Sequence, residues 1–255
     1  MRITQDRWIA IDVETTGRDA EHDRIIELGA VVFHQARAAE RYQQLVNPTT
    51  TISAEIQSIT GISNDDVHHQ PTFADVAQTW YDLLATAPLL AYNHTFDIGF
   101  LQNEFQRAGL PPWNPPPCLD PFPFCWHYLR KDKKTPNAQL GTVCEYLGIP
   151  LSSAHRADHD AEAAGHVLLA LLSHYPIPDE LEDFLHQQRA FGALMEDDFQ
   201  RFRRRSKSDA GPSLSSSTLR IELGPGYPYG DEPDPIRALI RRMPDVRDLR
   251  RNTNS

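Results

Sequence analysis

The sequence predicts an α/β protein built on a mixed β-sheet with helices on both of its faces. Three strand-like segments follow one another at short separations within the first 46 residues, and short separations favour antiparallel neighbours. From residue 72 onward, helical patterns alternate with short apolar runs, as in a layered α/β sheet. Because 40% of the 255 residues are hydrophobic, the chain can bury a core of this kind.

The first three strands are predicted from apolar runs near the N-terminus. The run from Trp8 to Val13 is mostly apolar on both faces, as expected of a buried central strand. Ile25 to Phe33 and Tyr42 to Val46 supply the second and third strands. A turn-rich sequence at 47–51 closes this part, and a short helix is predicted around 54–59.

Helices and strands alternate in the part that follows. Apolar residues at helical spacing predict a helix over 72–84, and a fourth strand is predicted over 89–92, followed by a helix over 95–108. Seven prolines between Leu110 and Phe124 indicate an irregular excursion and argue against a regular strand near Leu119. Three further helices are expected at 124–130, 138–147 and 158–174.

The chain divides into one main domain, predicted over 1–175, and an appendage. A helical extension over 176–205 has a basic end, a Ser-, Gly- and Pro-rich stretch at 206–218 is predicted to be a flexible linker, and a basic tail covers 219–255. The short apolar stripe from Ile236 to Met243 could dock a partner protein or pack on its own domain.

The net charge of −10 hides an asymmetry along the chain. Residues 1–199 carry 13 Lys and Arg against 28 Asp and Glu (net −15), whereas residues 200–255 carry 12 against 7 (net +5). An acidic body binds nucleic acid poorly, since affinity comes mainly from phosphate neutralisation, unless divalent metal ions offset its carboxylates. The basic stretch 201–207 could supply phosphate contacts, or it could be a solvated helix end.

Cysteine usage and hydropathy predict a soluble, cytoplasmic protein. Three cysteines without CxxC spacing argue against both a disulfide framework and a zinc ribbon. No apolar run approaches the roughly 18 residues that a membrane helix needs, and the N-terminus lacks the apolar core of a signal peptide. We therefore expect no association with a membrane.

The first chemical signal is the pair of carboxylates at the end of the first predicted strand. Asp12 and Glu14 are two residues apart, which places them on the same face, roughly 6.5–7 Å apart along the strand. Two such acids repel each other and lose hydration on burial, and a divalent cation between them would remove both costs. A strand end that runs out into solvent is the alternative explanation.

The second signal is Asp97, in the first turn of the helix that follows the fourth strand. An acid there suits the helix dipole, which would be sufficient reason for its presence. However, Asp97 lies on the same helix face as Leu101 and Phe105, which follow it by four and eight residues. A carboxylate on a buried stripe needs a partner, and this favours a function.

The third signal is the start of the last long helix. Asp160 aligns with the apolar stripe of that helix, whereas Asp158 and His159 suit an ordinary polar helix start. His155 precedes the helix by a few residues and can face a cleft.

Taken together, the three signals predict a metal-dependent active site at one end of the sheet. Four carboxylates, Asp12, Glu14, Asp97 and Asp160, without a thiolate or a pair of histidines, favour Mg²⁺ or Mn²⁺ over structural zinc. Two such ions about 3.5–4 Å apart are the usual arrangement for phosphodiester hydrolysis. His155, with an ordinary pKa near about 6.5, is a suitable general base for the attacking water.

These motifs resemble the DnaQ-like family of DEDDh 3′–5′ exonucleases, which includes proofreading enzymes. The similarity extends from residue 7 to about 175 and comprises five sequence elements. They are Asp12-x-Glu14-Thr15-Thr16-Gly17, Asn47-Pro48, Ile59-Thr60-Gly61-Ile62, Asn93-His94-Thr95-Phe96-Asp97 and His155-x-Ala157-x-x-Asp160. The resemblance implies a ribonuclease-H-like fold with a mixed five-stranded sheet, and release of nucleoside 5′-monophosphates from a 3′ end.

The resemblance also implies a role for each matched position. Asp12, Glu14 and Asp160 would hold one metal ion, Asp12 would bridge to a second with help from Asp97, and His155 would be the general base. A second set would contact the terminal nucleotide. It comprises Thr15, Thr16 and Gly17, Ile62 as an apolar wedge against the base, and Asn93 and Phe96 lining the cleft.

The leading hypothesis is a two-metal 3′–5′ exonuclease acting on a free 3′ end, in single-stranded DNA, in proofreading or repair. One alternative is the same chemistry on RNA or very short oligonucleotides, because no feature of the sequence reports on the 2′-hydroxyl. A second is a catalytically silent nucleic-acid-binding module tethered to a polymerase or helicase, against which the complete set of acids argues. The tail would bind a polymerase or another replication or repair protein, although no clamp-binding pentapeptide follows the domain.

Overall fold

The computed structural model describes residues 1–151 and 156–209, with side chains as far as Arg203. His155, most of the predicted linker and the whole predicted tail at 219–255 lie outside the described residues. Helix continues to Asp209, so residues 206–209, which the sequence assigns to the linker, are helical.

Five strands form one mixed sheet. Strands β1 (Trp8–Thr15), β2 (Ile25–His34) and β3 (Arg37–Leu45) are antiparallel neighbours, and β4 (Leu89–Leu90) and β5 (Cys118–Leu119) run parallel to β1. The order across the sheet is β3-β2-β1-β4-β5, which places β1 at the centre. The predicted fold class, a mixed five-stranded α/β sheet, is confirmed.

The proline-rich excursion does contain a strand, contrary to the expectation for Leu119. In β5, Cys118 and Leu119 pair with Leu89 and Leu90 of β4. The prolines do not prevent this, because proline lacks only the N–H and keeps its carbonyl. The carbonyl oxygen of Pro117 accepts a hydrogen bond from the backbone of Leu89 at 3.0 Å.

The third strand begins earlier than the sequence predicts, at Arg37 rather than Tyr42. Its first seven residues are exposed, as is typical of an edge strand with polar side chains. The apolar pattern used for the prediction therefore covered only the end of the strand.

Helices cover both faces of the sheet, as predicted. One face carries α3 (Phe73–Leu84) and α4 (Thr95–Arg107), which pack on Ile9, Ile11 and Val13. The opposite face packs on Trp8 and Ala10. Its helices are α5 (Phe122–Cys125), a π-helical turn (Trp126–Arg130), α6 (Leu140–Leu147), α7 (Ala157–His174) and α8 (Leu181–Asp209). Two short helices follow β3 along the chain, α1 (Ala54–Thr60) and α2 (Asn64–His68). The sequence did not predict α2.

Two glycines allow α7 to approach the sheet closely. A Cβ on Gly29 of β2 would lie 2.1 Å from the backbone carbon of Ala157, and one on Gly165 would lie 2.5 Å from the ring of Phe33. Both distances are far shorter than a normal contact, so only glycine fits. This packing brings the start of α7 against the centre of the sheet.

Helix α8 shares the core of the domain at its N-terminal end. Phe184 is completely buried and stacks on Phe124 with ring centroids 4.7 Å apart, and Phe191 contacts the same ring at 5.4 Å. Toward its C-terminal end, Arg201 and Arg203 pair with acids of the same helix, Asp197 and Glu196. Within residues 1–151 and 156–209, no helix combines the length and apolar character needed to cross a membrane.

Candidate metal centre

Strand β1 carries two of the predicted metal ligands. Asp12 and Glu14 alternate with buried Ile11 and Val13, so their side chains point to the face that α7 covers. Both acids are partly buried. Within the described residues, neither of them accepts a hydrogen bond, although both are close to other carboxylates.

Helix α7 supplies the third predicted ligand, Asp160, which is 9% exposed in the first turn. The start of this helix is held by Glu27 of β2, a completely buried carboxylate. Its Oε2 accepts a hydrogen bond from the backbone N–H of Ala157 at 3.0 Å, and its Oε1 pairs with Nη2 of Arg156 at 2.8 Å. Glu27 therefore fixes the N-terminus of α7 and with it the position of Asp160.

These three carboxylates converge on one point. Ligand oxygens of Asp12, Glu14 and Asp160 all lie within 4.8 Å of one another. Burial, followed by the charges of Asp97, Glu14 and Asp160, raises the pKa of Asp12 well above its usual range. Burial and the charge of Asp160 likewise raise the pKa of Glu14 to about 8. A group of oxygen ligands whose ionised form is destabilised by burial and repulsion fits a divalent cation, which would neutralise it.

Asp97 lies beside this group, in the first turn of α4. It is 3% exposed, and its Oδ1 accepts a hydrogen bond from the backbone N–H of Val13, between the two acids of β1, at 3.1 Å. Burial raises the pKa of Asp97 to about 8, with further contributions from the charges of Asp120 and Glu14. Its oxygens are not among the three that lie within 4.8 Å of one another, so its role as a metal ligand remains a prediction.

The last residue of β1 and the loop that follows it contain three of the predicted substrate residues. The hydroxyl of Thr15 donates to the carbonyl of Gly17 at 2.5 Å, and the hydroxyl of Thr16 donates to Asp23 at 3.2 Å. A Cβ on Gly17 would lie 2.3 Å from the Asp23 carboxylate, so any other residue here would displace the carboxylate that Thr16 contacts. The loop is thus firmly held directly after Glu14, and its contact with a nucleotide remains a prediction.

The three other predicted substrate residues lie in different environments. Asn93 is exposed and has a left-handed backbone, with φ of +66°. Phe96 is half-buried against Phe100, with ring centroids 4.8 Å apart. Ile62 is only 3% exposed and belongs to a small core cluster, so as positioned it presents little surface for an apolar wedge. The other buried members of that cluster are Ile26, Ile52 and Val67.

Sequence reasoning missed two buried acids that support the site, Glu27 and Asp120. Glu27 is a single acid within the apolar run from Ile25 to Phe33, and this isolation is a signal that could have identified it. Asp120 lies among prolines and carries no comparable signal. It is 3% exposed and accepts hydrogen bonds from the backbone N–H groups of Asn93 and His94, at 2.9 and 3.2 Å.

Comparison with known proteins points to one family. The family model described as exonuclease (RNase_T) matches residues 9–168. A PolC-type DNA polymerase III from Bacillus cereus is 32% identical over 194 residues, which cover 74% of this chain and 13% of the relative. A 3′-5′ exonuclease DinG from Bacillus subtilis is 34% identical over 180 residues, covering 67% of this chain and 18% of the relative. The chain thus spans less than a fifth of the length of these curated relatives.

Solved structures share the fold at lower sequence identity. A structure of exonuclease I has a TM-score of 0.61 at 20% identity and covers 76% of this chain and 44% of its own. The zinc-bound complex of Escherichia coli exonuclease I with single-stranded DNA has a TM-score of 0.62 at 21% identity, covering 72% of this chain and 43% of its own. From the family match over residues 9–168 and the shared fold, we conclude that the chain belongs to the exonuclease family, as its motifs predict.

Proposed function

We propose that this chain is a metal-dependent 3′–5′ exonuclease that removes nucleotides from the 3′ end of DNA and releases nucleoside 5′-monophosphates. The observation that carries the proposal is the convergence of Asp12, Glu14 and Asp160, with ligand oxygens within 4.8 Å of one another. Burial of these acids is costly, and the cost is understandable if the site holds a cation. Membership of the exonuclease family supports the same reaction.

Asp12, Glu14 and Asp160 would hold a divalent cation, and Asp97 would help with a second. Mg²⁺ and Mn²⁺ fit best, since every predicted ligand is a carboxylate oxygen. When bound, such cations would activate the attacking water and stabilise the charge on the phosphate and the leaving oxygen. Asp97 accepts a hydrogen bond from the backbone of Val13, and it would thereby hold α4 against β1 while Asp12 and Glu14 of β1 bind the cation.

His155 would act as the general base, as the sequence predicts. Its imidazole would take one proton from water as the oxygen of that water attacks the terminal phosphorus. The bond between phosphorus and the 3′-oxygen of the preceding nucleotide then breaks, and that oxygen takes up a proton from solvent. Since the imidazole must be neutral, the rate should fall below a pH of about 6.5. His155→Ala should remove that dependence.

Single-stranded DNA is the proposed substrate, and a polymerase or other replication protein the proposed partner. One solved neighbour is a complex of exonuclease I with single-stranded DNA, and several relatives are PolC-type polymerases. The predicted tail at 219–255 would provide the docking segment.

The test uses 5′-labelled single-stranded DNA and RNA of the same sequence, with Mg²⁺ or Mn²⁺ and with EDTA. We expect a ladder that shortens from the 3′ end, is lost in EDTA, and is lost in Asp12→Asn. Asp183→Asn is the matched control, because it removes an exposed aspartate of α8. The faster substrate decides between DNA and RNA.

Two results would contradict the proposal. If Asp12→Asn degrades DNA at the wild-type rate, the assignment of the site is wrong. If the wild type binds the oligonucleotide but gives no ladder with either metal, the chain is a binding module instead.

A further inference from the structure

We propose that helix α8 positions the metal centre through two residues, Gln188 and Asp120. Gln188 holds the backbone of Asp120, Asp120 holds the turn that enters α4, and this turn places Asp97 beside the acids of β1. The inference rests on the proposed function and adds two positioning residues to it. The family match ends at residue 168, so α8 lies outside the part of the chain that it covers.

The side chain of Gln188 forms hydrogen bonds with the backbone at the edge of β5, where a neighbouring strand would otherwise pair. Its Oε1 accepts the backbone N–H of Asp120 at 2.9 Å, and its Nε2 donates to the carbonyl of Cys118 at 3.2 Å. Because β5 has only two residues and no strand lies beyond it among the described residues, this edge would otherwise leave its polar groups unpaired in a buried region. Gln188 is 8% exposed, so water does not easily take its place.

The carboxylate of Asp120 organises the turn between β4 and α4. Its Oδ1 accepts the backbone N–H groups of Asn93 and Phe122, both at 2.9 Å. Its Oδ2 accepts the backbone N–H of His94 at 3.2 Å and contacts the Nδ1 of the same histidine at 2.9 Å. Asn93 has a φ of +66°, a left-handed conformation that asparagine tolerates better than most residues, and the hydrogen bond from its N–H to Asp120 fixes it in place. Asp120 therefore holds three backbone N–H groups, two of them in the turn that enters α4.

The turn leads directly to the metal centre. The carbonyl of Asn93 accepts the N–H of Phe96 at 3.1 Å, and Asp97 is the next residue. Asp97 in turn accepts the N–H of Val13, which separates Asp12 from Glu14. Hydrogen bonds, linked by short covalent segments, thus join α8 to the strand that carries two candidate ligands.

Helix α8 is anchored well enough to serve as a support. Phe184 and Phe191 lie four residues before and three after Gln188, on the same face, and both are buried. The start of the helix is tied to the N-terminus, where the hydroxyl of Thr4 donates to the carboxylate of Asp179 at 2.7 Å. Gln188 therefore lies on a part of α8 whose position is fixed by the packing of Phe184 and Phe191 and by the contact with the N-terminus.

The experiment measures the Mn²⁺ concentration that gives half-maximal cleavage of single-stranded DNA by the full chain, together with the rate at saturating Mn²⁺ and the melting temperature. Asp120→Asn replaces one accepting oxygen by a donor, and we expect it to raise the half-saturating concentration about tenfold. Gln188→Ala acts one step further away and should raise it about threefold. Gln188→Glu keeps the oxygen that accepts from Asp120 and should recover most of the effect.

Two controls separate positioning from simple loss of stability. Phe191→Leu lowers stability but keeps a buried apolar side chain at this anchor, so Gln188 stays in place, and Gln187→Ala removes the same side-chain type one position away. Both should leave the half-saturating Mn²⁺ concentration unchanged, even where Phe191→Leu lowers the melting temperature as much as Gln188→Ala does. If Gln188→Ala and Phe191→Leu give equal half-saturating Mn²⁺ concentrations, α8 supports only the fold and the proposal is wrong.

Direct Mn²⁺ binding, measured by calorimetry on the same variants, distinguishes failure of this inference from failure of the proposed function. A wild type that binds Mn²⁺ but cleaves nothing contradicts the function alone, and the shift in Kd then tests the positioning. A wild type that binds no Mn²⁺ overturns both.

Discussion

Replacing Asp12 by Asn should stabilise the folded chain when no divalent metal is present. The carboxylate of Asp12 is partly buried and repelled by Asp97, Glu14 and Asp160, so its ionised form is unfavourable in the folded state. In the unfolded chain it is solvated and its pKa is ordinary, near 3.8. The asparagine is nearly isosteric and carries no charge, which removes the repulsion and leaves the packing intact.

The size of the effect follows from the neighbouring acids. The pKa of Glu14 rises from 4.5 to about 8. Since a tenfold change in an equilibrium constant is about 1.4 kcal/mol, full ionisation of such a group costs at most about 5 kcal/mol. The repulsion is distributed over several carboxylates, and their partial exposure to solvent screens it. We therefore expect Asp12→Asn to raise the free energy of unfolding by about 2 kcal/mol.

The effect should grow with pH. The folded state keeps protons on these acids that the unfolded state has released, so stability falls as pH rises from about 4 to about 8. Below pH 4 both states are protonated, and Asp12→Asn should then differ little from the wild type. The difference should increase with pH until Asp12 is ionised in the folded state.

Urea unfolding in EDTA at pH 5, 6, 7 and 8 measures this difference, with Asp183→Asn as the control for loss of an exposed charge. Saturating Mn²⁺ should reverse the order, because a ligand that binds only the folded state stabilises the wild type more. If Asp12→Asn is less stable than the wild type at pH 8 in EDTA, the electrostatic account of the centre is wrong.

Three further changes test the surroundings of the site. Gly29→Ala should lower the free energy of unfolding by about 1–3 kcal/mol, measured with urea, because its Cβ would meet the backbone of Ala157 at 2.1 Å; an unchanged value would contradict the close packing of α7. Glu27→Gln loses the ion pair with Arg156 and should lower the rate at saturating metal about tenfold in single-turnover cleavage, while the exposed control Glu182→Gln stays at the wild-type rate. Phe184→Ala should cost about 3–5 kcal/mol in thermal or urea unfolding, and a cost below 1 kcal/mol would show that α8 is not part of the core.

The candidate ligands were predictable because each one breaks a local pattern. Asp12 and Glu14 interrupt an apolar strand at its end, and Asp160 falls on the apolar stripe of a helix. Such breaks are visible within a window of a few residues. The fold class followed in the same way, from the order of strand and helix periods along the chain.

The supporting residues were not predictable, because their partners are far away in sequence. Glu27 meets Arg156 across 129 residues, and Gln188 meets Asp120 across 68. The same limitation applies to Ile62: its motif predicts a contact with substrate, whereas its burial depends on residues of β2 and α2. A short sequence window contains the residue but not the contact that determines its environment.

Hydrogen bonding separates the two kinds of buried acid in this domain. Glu27, Glu104 and Asp120 each accept from several donors, and Glu104 takes Nε and Nη2 of Arg24 at 2.7 and 3.1 Å. Within the described residues, Asp12 and Glu14 accept none, although Glu14 lies directly opposite Glu27 in the sheet. Two carboxylates at the same level of one sheet thus have different surroundings. Glu27 accepts hydrogen bonds from several donors, whereas Glu14 accepts none within the described residues and is repelled by Asp160 and Glu27, with Arg156 opposing that repulsion. A buried carboxylate that already accepts several hydrogen bonds has a structural role. One that accepts none and lies among other carboxylates is suited to bind a cation, so we expect the metal site at Glu14 and not at Glu27.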